Sequence, residues 1–313
     1  MQKFFENKKI IVTGATGFLG STFLDEINSG LLDITVLSRD NKNEFLKKHK
    51  NIKIFKGDLS NPNLWEDLIE GADYIFHLAG LEYDKKNFNQ TQDFNLNFMC
   101  VVNLLEASRK LLKPPKIIFT SSGNIEKDDP KSIWSLHKFL AEKYLNYFNR
   151  NSSVKTLCLR LPNLFGEPRN IKKISNSSLN KMIADVVEFQ SIYLYKNSKC
   201  ERNFLHVTDA ARSLIYAAKF IDKLHDNNYY YVGSDESSCY DEISKFLFQI
   251  AKKYQNINLS KILIKDNLDS FEMRSFRNDC SIFSLITGYK PTISLKDGIE
   301  NTFLKFSNIK GQI

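Results

Sequence analysis

The sequence predicts an α/β fold, with a doubly wound parallel sheet followed by a smaller C-terminal lobe. Three observations carry this prediction. Short apolar runs alternate with amphipathic stretches from residue 9 to about residue 161, as in parallel strands joined by helices. A glycine-rich turn separates the first apolar run from the first amphipathic stretch. After residue 166 the regular alternation is lost, which indicates a second part.

Six apolar runs of strand length predict the strands of the sheet. In chain order they are KIIVTG, DITVLS, NIKIFKG, DYIFHLA, KIIFTSS and VKTLCLRLP. The helices between them have recognisable ends. Asn61 before Pro62 predicts an N-cap and a first helical position, and Gly30 and Gly71 predict helix stops.

The turn after the first strand, IVTGATGFLG, places Gly14, Gly17 and Gly20 between a strand and a helix. Gly14 allows the tight turn, Gly17 lets the backbone approach a pyrophosphate, and Gly20 lets the helix pack closely. The free N–H groups at the start of the helix attract an anion. Because a strand precedes the turn and a helix follows it, we expect a Rossmann-type dinucleotide site rather than a glycine-rich turn without a ligand.

The tip of the second strand, TVLSRD, bears on the choice of dinucleotide. Ser38 stands where an acidic residue would accept the ribose hydroxyl of NAD, and Arg39 follows it. An arginine can pair with a 2′-phosphate, so NADP is favoured, while Asp40 keeps NAD open. Asp58 and Leu59, after the third strand, either cap the adenine amino group or belong to a plain Asp turn.

The C-terminal half predicts fewer regular elements. They are a helix over 179–188, the strand SIYLY, a helix over 208–221 and the strand YYYVG at 229–233. We therefore expect a dinucleotide-binding domain of residues 1–166 and 206–233. Residues 167–205 and 234–313 would form a substrate-binding lobe.

Composition limits the function. The 313 residues are 42% hydrophobic, which suffices for a full core. The net charge of +8 is dispersed along the chain, which favours a solvated surface or an anionic small ligand over a nucleic-acid face. The five cysteines contain no CxxC pair, which argues against a disulfide framework and a zinc site. No apolar run approaches ~18 residues, so we expect a cytoplasmic protein without a membrane span.

A series of motifs follows along nearly the whole chain: TGATGFLG, GDLS, FHLAG, NFMCVVNLLEA, FTSS, the segment from Pro130 to Lys138, LRLPNLFG, ERNFLHVTDAARSL, YYVGS and GYKP. In this order they resemble the extended short-chain dehydrogenases/reductases, the nucleotide-sugar epimerase/dehydratase family. The resemblance implies NADP or NAD as cofactor, a nucleotide-sugar substrate and a role in carbohydrate biosynthesis. It also implies a homodimer built on the helices near 91–112 and 132–149.

The resemblance gives roles to individual residues. Asn97 corresponds to a structural asparagine and Ser122 to the hydroxyl that hydrogen-bonds the reacting oxygen. Lys138 corresponds to the lysine that binds the nicotinamide ribose and lowers the pKa of a neighbouring phenol. The residues implied for the substrate diphosphate are Asn163 and Arg202, with Arg274 or Arg277 as a second clamp. The residues implied for the cofactor are Gly14, Thr16, Gly17, Phe18, Leu19, Gly20, Ser38, Arg39, Asp58, Leu59, Leu78, Ala79, Gly80, Lys138 and Leu161.

The chain departs from the family pattern at the catalytic tyrosine. Family members carry YxxxK, but this chain has Trp134 four residues before Lys138. An indole N–H donates a hydrogen bond but does not titrate, so it cannot act as a general acid or base. If nothing replaces that role, the rate should fall about 10²- to 10⁴-fold. The replacement donors we consider are Tyr83, His137 and Ser135, whereas His77 and His206 are expected to be strand-packing residues.

Two further departures concern the loop before Trp134. This loop lacks the VYG sequence and is shorter than the family's usual segment, so the wall on the substrate side must differ. Dehydratases of the family place an acidic pair after the active-site hydroxyl, where this chain has Gly123 and Asn124. Dehydration is therefore disfavoured.

The sequence leaves three hypotheses about function. The first is an enzyme that modifies a nucleotide-linked sugar, by reduction of a 4-keto-6-deoxyhexose or by epimerisation. The second is a catalytically silent family member that binds dinucleotide or nucleotide sugar as a sensor or partner subunit. The third, an RNA-binding Rossmann protein, rests on charge alone.

Overall fold

The computed structural model describes residues 2–27, 30, 32–40, 43–49, 51–81, 89–125, 130–169, 177–224, 229–234, 236–255, 261–265, 275 and 278–310. The strands are β1 Lys9–Thr13, β2 Asp33–Ser38, β3 Ile52–Lys56, β4 Tyr74–His77, β5 Lys116–Ser122, β6 Thr156–Leu161, β7 Asn163–Phe165, β8 Ser191–Tyr195, β9 Arg202–His206, β10 Tyr230–Tyr231, β11 Ser237–Ser238 and β12 Lys261–Lys265. Each of the six predicted N-terminal strands is therefore confirmed within one or two residues at either end.

The main sheet has seven parallel strands in the order β10-β6-β5-β4-β1-β2-β3. The chain runs outward from β1 to β3 and then resumes at β4 on the other side of β1. In an open sheet of this kind, ligands bind beyond the carboxyl ends of the strands where the order reverses. We therefore expect the loops after β1, β4 and β5 to line the ligand site.

The helices are α1 Phe18–Ile27, α2 Glu44–Lys47, α3 Leu64–Ile69, α4 Gln90–Phe94, α5 Cys100–Arg109, α6 Ile133–Asn151, α7 Ser178–Phe189, α8 Val207–Phe220, α9 Tyr240–Gln255, α10 Ser281–Thr287 and α11 Leu295–Lys310. A π-helical turn, Asn95–Met99, joins α4 to α5. Turns of this type are frequent at functional sites. The predicted helices over 179–188 and 208–221 correspond to α7 and α8.

One predicted helix start is wrong. α3 begins at Leu64 with Asn63 as its N-cap, two residues after the predicted cap at Asn61. Asn61 instead accepts the N–H of Asn63 through its side-chain oxygen, at 3.1 Å. Asn commonly makes this local turn, which competes with helix capping. The predicted stop at Gly71 is confirmed, because that residue lies just beyond the helix with a φ of +68°.

Helices cover both faces of the sheet. Ile10 and Val12 of β1 face one hydrophobic cluster, which α1 and α8 complete. Ile11 faces a second cluster, which α3, α5 and α6 complete. Strands buried on both faces are typical of doubly wound α/β proteins. The predicted fold class is confirmed.

A third hydrophobic cluster lies outside the main sheet. Side chains of α7, α9 and α11 build it with Phe165 and Phe204. Two small sheets accompany it, one in the order β11-β9-β7 and one that pairs β12 with β8. β7 pairs with β9 in this smaller sheet, although its residues were assigned to the N-terminal domain. The division into two domains stays a prediction.

Candidate active site

The glycine turn after β1 has a backbone that only glycine allows. Gly14 has a φ of +70°, and a Cβ there would lie 2.6 Å from the backbone nitrogen of Ala79. A Cβ on Gly20 would lie 2.1 Å from the carbonyl oxygen of Gly14. α1 therefore packs directly onto the turn, as predicted for the third glycine. The contact of Gly17 with a pyrophosphate stays a prediction.

Arg39 and Asp58 lie near each other beyond the ends of β2 and β3. The Asp58 carboxylate accepts the backbone N–H of Ser60 at 2.9 Å and its hydroxyl at 2.8 Å. These two hydrogen bonds lower the pKa of Asp58, and the positive charge of Arg39 contributes in the same direction. The hydroxyl of Ser38 donates to the Asp40 carbonyl at 2.8 Å. Arg39 itself is exposed at the tip of β2.

Lys138 is a buried cation at the centre of the site. Its side chain is enclosed by protein, and its amine donates to the carbonyl of Thr120 at 3.4 Å. This is its only hydrogen-bond partner among the described residues, and the amine also lies 4.8 Å from the centre of the Phe119 ring. Burial lowers the pKa of Lys138 to about 8. Such an underbonded cation is suited to a ligand oxygen.

Trp134 stands one helical turn before Lys138 on α6, and its polar group is already engaged. The indole Nε1–H donates to the carbonyl of Leu81 at 2.7 Å. Leu81 lies in the loop that follows β4. Trp134 therefore ties α6 to the loop after β4.

Asn97, in the π-helical turn, holds the same loop. Its side-chain oxygen accepts the N–H of Leu81 at 3.2 Å, and its amide donates to the Leu81 carbonyl at 3.3 Å. The same amide donates to the Asp93 carboxylate at 2.6 Å. The structural role predicted for Asn97 is consistent with these contacts.

The His137 side chain contacts α4. Its Nδ1 is hydrogen-bonded to the buried carboxylate of Asp93, and its ring packs edge-on against Phe94. Ser135 is likewise engaged in a capping box with Ser132 at the start of α6. Neither residue is placed as a proton donor. Tyr83 lies outside the described residues, so its role as donor stays a prediction.

Ser122 ends β5 on the side of the sheet where ligands are expected. Its hydroxyl accepts the N–H of Asn124 at 3.1 Å. The preceding hydroxyl, on Ser121, is buried and has no hydrogen-bond partner among the described residues. The N–H of Gly123 donates to the Leu161 carbonyl at 2.7 Å, which joins the ends of β5 and β6.

A buried ion pair joins β6 to α6, and no sequence motif predicted it. Arg160 in β6 makes two hydrogen bonds, of 2.9 and 2.6 Å, to the carboxylate of Glu142 on α6. Arg160 also donates to the Ile125 carbonyl at 2.9 Å and to the Tyr231 hydroxyl at 3.1 Å. Its guanidinium lies 3.4 Å from the centre of the Tyr229 ring. An arginine within the apolar strand TLCLRL was the sequence signal that such a partner existed.

The residues predicted for the substrate diphosphate lie on adjacent strands. Asn163 in β7 donates to the backbone carbonyl of Asn203 in β9 at 3.3 Å. Arg202 begins β9, is largely buried, and donates to the Glu201 carbonyl at 3.3 Å. Asn163 and Arg202 thus lie on paired strands of one small sheet, and their contact with a diphosphate stays a prediction. Arg274 and Arg277 lie outside the described residues.

The two histidines expected to pack in strands do so. His77 ends β4, where its Nδ1 lies 3.0 Å from the hydroxyl of Thr13 and its ring stacks on Phe119. Burial lowers the pKa of His77 to about 3, with a smaller contribution from the charge of Lys138. His206 accepts the N–H of Thr208 as the N-cap of α8.

The fold and the site define a class of protein. A glycine cradle that a Cβ would fill follows β1, and an underbonded buried lysine of α6 contacts β5, with β4 as the one strand between β1 and β5 in the sheet. These residues fit a dinucleotide, with the pyrophosphate at the turn and the ribose at Lys138. The class is that of the extended short-chain dehydrogenases/reductases.

Comparison with known proteins gives the family. The sequence model described as "NAD dependent epimerase/dehydratase family" matches residues 10–233. This match covers more than half of the chain, so the protein belongs to the NAD-dependent epimerase/dehydratase family. The resemblance drawn from the motifs is confirmed, and the expectation of an enzyme is confirmed at the level of the family.

Relatives whose names state an activity match nearly the whole chain. A putative UDP-glucose 4-epimerase of Methanocaldococcus jannaschii is 25% identical over 313 residues, covering 93% of this chain and 96% of that protein. The CDP-paratose 2-epimerase of Salmonella typhi is 23% identical over 340 residues, covering 94% and 98%.

Solved structures agree in fold. The UDP-glucose 4-epimerase of Thermotoga maritima, crystallised with UDP-glucose, has a TM-score of 0.80 at 20% identity and covers 97% of this chain and 100% of that one. The UDP-glucose 4-epimerase of Thermus thermophilus, in complex with NAD, has a TM-score of 0.77 at 22% identity with the same coverage. None of the described helices is long and apolar enough to span a bilayer.

Proposed function

We propose that the protein epimerises the hexose of a nucleotide sugar with NAD or NADP as cofactor. One observation carries the proposal. The buried amine of Lys138 hydrogen-bonds Thr120 in β5, two residues before the Ser122 hydroxyl, at the edge of the sheet that also carries the glycine turn. The relatives named as UDP-glucose 4-epimerases support this choice over dehydration, as do Gly123 and Asn124 in place of an acidic pair.

The described residues divide the work of such a reaction. A bound nicotinamide would accept a hydride from the sugar and return it. The turn at Gly14 and Gly17 would hold the pyrophosphate, and Lys138 would bind the ribose. Ser122 would hydrogen-bond the sugar oxygen that loses and regains its proton.

One role in this reaction is left to assign, that of the group that carries the proton. Trp134 is excluded, because an indole does not titrate. Lys138 is suited to the role because its amine contacts β5 at Thr120, two residues before Ser122, and because burial lowers its pKa to about 8, near the pH at which a base is most effective. We propose Lys138 as the carrier, and Tyr83 as the alternative.

The proposal is tested by mixing the protein with NAD and a panel of UDP-, dTDP- and CDP-hexoses. The sugar products are resolved by proton NMR, and the absorbance of reduced cofactor is followed in parallel. We expect conversion of a hexose to its epimer with no net change in reduced cofactor. A panel of 4-keto-6-deoxyhexoses with NADPH is run beside it, and substrate-dependent oxidation there would indicate a ketoreductase instead.

A preference for NADP is proposed from the exposed Arg39 at the tip of β2. Its guanidinium can pair with the 2′-phosphate, which NAD lacks. Arg39→Ala should weaken NADP binding about tenfold, the loss of one charge-assisted contact, and leave NAD binding unchanged. Titration calorimetry measures both, with Lys53→Ala on β3 as control. Equal losses for the two dinucleotides would contradict the proposal.

A second candidate function is a silent binder, which Trp134 favours. The Trp134→Tyr variant separates the two. If the wild type has no turnover and the variant gains it, only the acid was missing and the wild type is a binder. If the wild type turns over and the variant is slower, the site is built around tryptophan.

The homodimer is proposed on α6. Ile133, Leu136, Tyr144 and Tyr147 are exposed apolar side chains at helical spacings, so they form one stripe on the helix. Leu136→Glu should convert a dimer to a monomer in light scattering after gel filtration. Leu285→Glu, at an exposed leucine of α10, is the control and should remain dimeric.

A further inference from the structure

We propose that His137 is a positioning residue, which fixes the loop after β4 and, with it, the indole of Trp134. The inference concerns the arrangement of the site proposed above, and its ligand-binding readout rests on that proposed function. Nothing in the proposed reaction uses His137 directly, because its imidazole is engaged with Asp93 and Phe94 of α4. Its role is therefore carried by the groups to which it is bonded.

The first link is a pair of buried groups. His137 and Asp93 are 5% and 1% exposed, and the imidazole Nδ1 is hydrogen-bonded to one carboxylate oxygen. The other oxygen accepts the amide of Asn97 at 2.6 Å. A buried carboxylate is costly unless its oxygens are hydrogen-bonded. Removing His137 would leave one of them without this donor, so the carboxylate should move.

The second link connects the position of the Asp93 carboxylate, through Asn97, to the backbone of Leu81. The Asn97 amide group binds both the N–H and the carbonyl of Leu81. The same carbonyl accepts the indole N–H of Trp134 at 2.7 Å. Because Trp134 and His137 are three residues apart on α6, the chain of bonds begins and ends on the same helix. This closed set of hydrogen bonds holds the loop after β4 at a fixed distance from α6.

The loop matters because it lies against the buried lysine. A Cβ on Gly80, the residue before Leu81, would lie 3.0 Å from the Lys138 amine and 2.6 Å from the Asn97 side-chain oxygen. The space beside the Lys138 amine therefore depends on the position of the Gly80 backbone. A displacement of about 1 Å in a binding site can cost about 10²-fold in rate.

The experiment reads the indole directly. The chain has two tryptophans, so nitrogen-labelled protein gives two indole N–H resonances, and Trp134→Phe identifies the one from Trp134. His137→Phe should shift this resonance and speed its exchange with solvent, while the Trp65 resonance stays in place. The dissociation constants of NAD and NADP, measured by calorimetry, should rise about tenfold.

Matched variants separate positioning from general stability. His137→Asn places an amide N–H where Nδ1 was, and should restore the resonance and the dissociation constants. His49→Phe removes the histidine of a second His–Asp pair, with Asp25, and should leave both unchanged. If His137→Phe does not fold, Asp93→Asn is measured in the same way and should shift the same resonance.

Unchanged Trp134 resonance and cofactor affinity in a folded His137→Phe variant would overturn the inference, even if the free energy of unfolding fell. The NMR readout needs no ligand. If the wild type binds neither NAD nor NADP, the proposed function fails, while the spectra still decide the role of His137.

Discussion

Two regions at the same edge of the sheet differ in how closely they follow the family pattern. The glycine turn after β1 keeps the residues and the backbone that the pattern requires, with Gly14 at a φ of +70°. α6 keeps Lys138 but carries Trp134 in place of tyrosine, with the indole bonded to the opposite loop. The region proposed to bind the cofactor thus matches the family pattern, while the region proposed to handle the proton departs from it at Trp134.

The difference teaches that the two regions depend on different kinds of structural determinant. The turn depends on the absence of a Cβ at two positions, which is a local property of the chain. The α6 region depends on side chains from three elements that contact one another. Four predictions, from the largest expected effect to the smallest, test this division.

The largest effect is expected at Lys138. Lys138→Met should lower turnover about 10²- to 10⁴-fold, because it removes the proposed proton carrier. Lys138→Arg keeps the charge but cannot release a proton, so it should bind cofactor and still turn over slowly. Turnover with the converted nucleotide hexose and calorimetry with NAD measure the two effects. Lys143→Met on the same helix is the control, and full activity in Lys138→Arg would exclude the lysine as carrier.

The second effect concerns the ion pair behind α6. Glu142 and Arg160 are 2% and 0% exposed, so Glu142→Gln should lower the free energy of unfolding by about 3–5 kcal/mol. The matched variant is Glu66→Gln, in an ion pair with Lys110 whose side chains are both 60% exposed. Its cost should be far smaller, because water and salt screen an exposed ion pair. Urea denaturation measures the free energy of unfolding of both variants. Equal losses would show that burial does not set the strength of these ion pairs.

The third prediction tests the glycine turn. Gly20→Ala brings a Cβ onto the Gly14 carbonyl, so it should lower the free energy of unfolding by about 1–3 kcal/mol and weaken cofactor binding. A Cβ on Gly17 would lie 3.2 Å from the same oxygen, so Gly17→Ala should change stability less. It should still weaken the binding of NAD and NADP if Gly17 faces the pyrophosphate. Unaltered affinity in Gly17→Ala would remove that residue from the cofactor site.

The smallest effect is expected at His77, where the two regions meet. Its pKa is about 3 in the folded protein against an ordinary value of 6.5, so between these values the unfolded chain binds more protons. The free energy of unfolding should therefore fall as the pH drops from 6.5, by up to about 1.4 kcal/mol per pH unit. His77→Gln should have a shallower pH dependence in urea denaturation between pH 7 and 5. Parallel curves for the two proteins would contradict this.

Much of the fold followed from local patterns. The six strands before residue 162 were predictable because each is an apolar run bounded by polar or turn residues. The helix stop at Gly71 was predictable because a helix end accepts a residue with a positive φ. Asn61 was misplaced as a cap because the same side chain can make an Asx turn, and the sequence does not say which it makes. Asn163 and Arg202 were predicted through motif order, and their role at the diphosphate stays a prediction, whereas the contact of Asp93 with His137 was not predicted at all.

By itself the sequence determined the α/β class and the glycine turn, and it predicted a departure from the family's YxxxK pattern at Trp134, because each depends on residue types at short spacings. The tertiary structure decided which polar groups meet: Trp134 with Leu81, His137 with Asp93, and Arg160 with Glu142. These partners are 18 to 53 residues apart in the chain. No local pattern specifies such pairs, because they form only when packing of the apolar faces brings the helices and the sheet together.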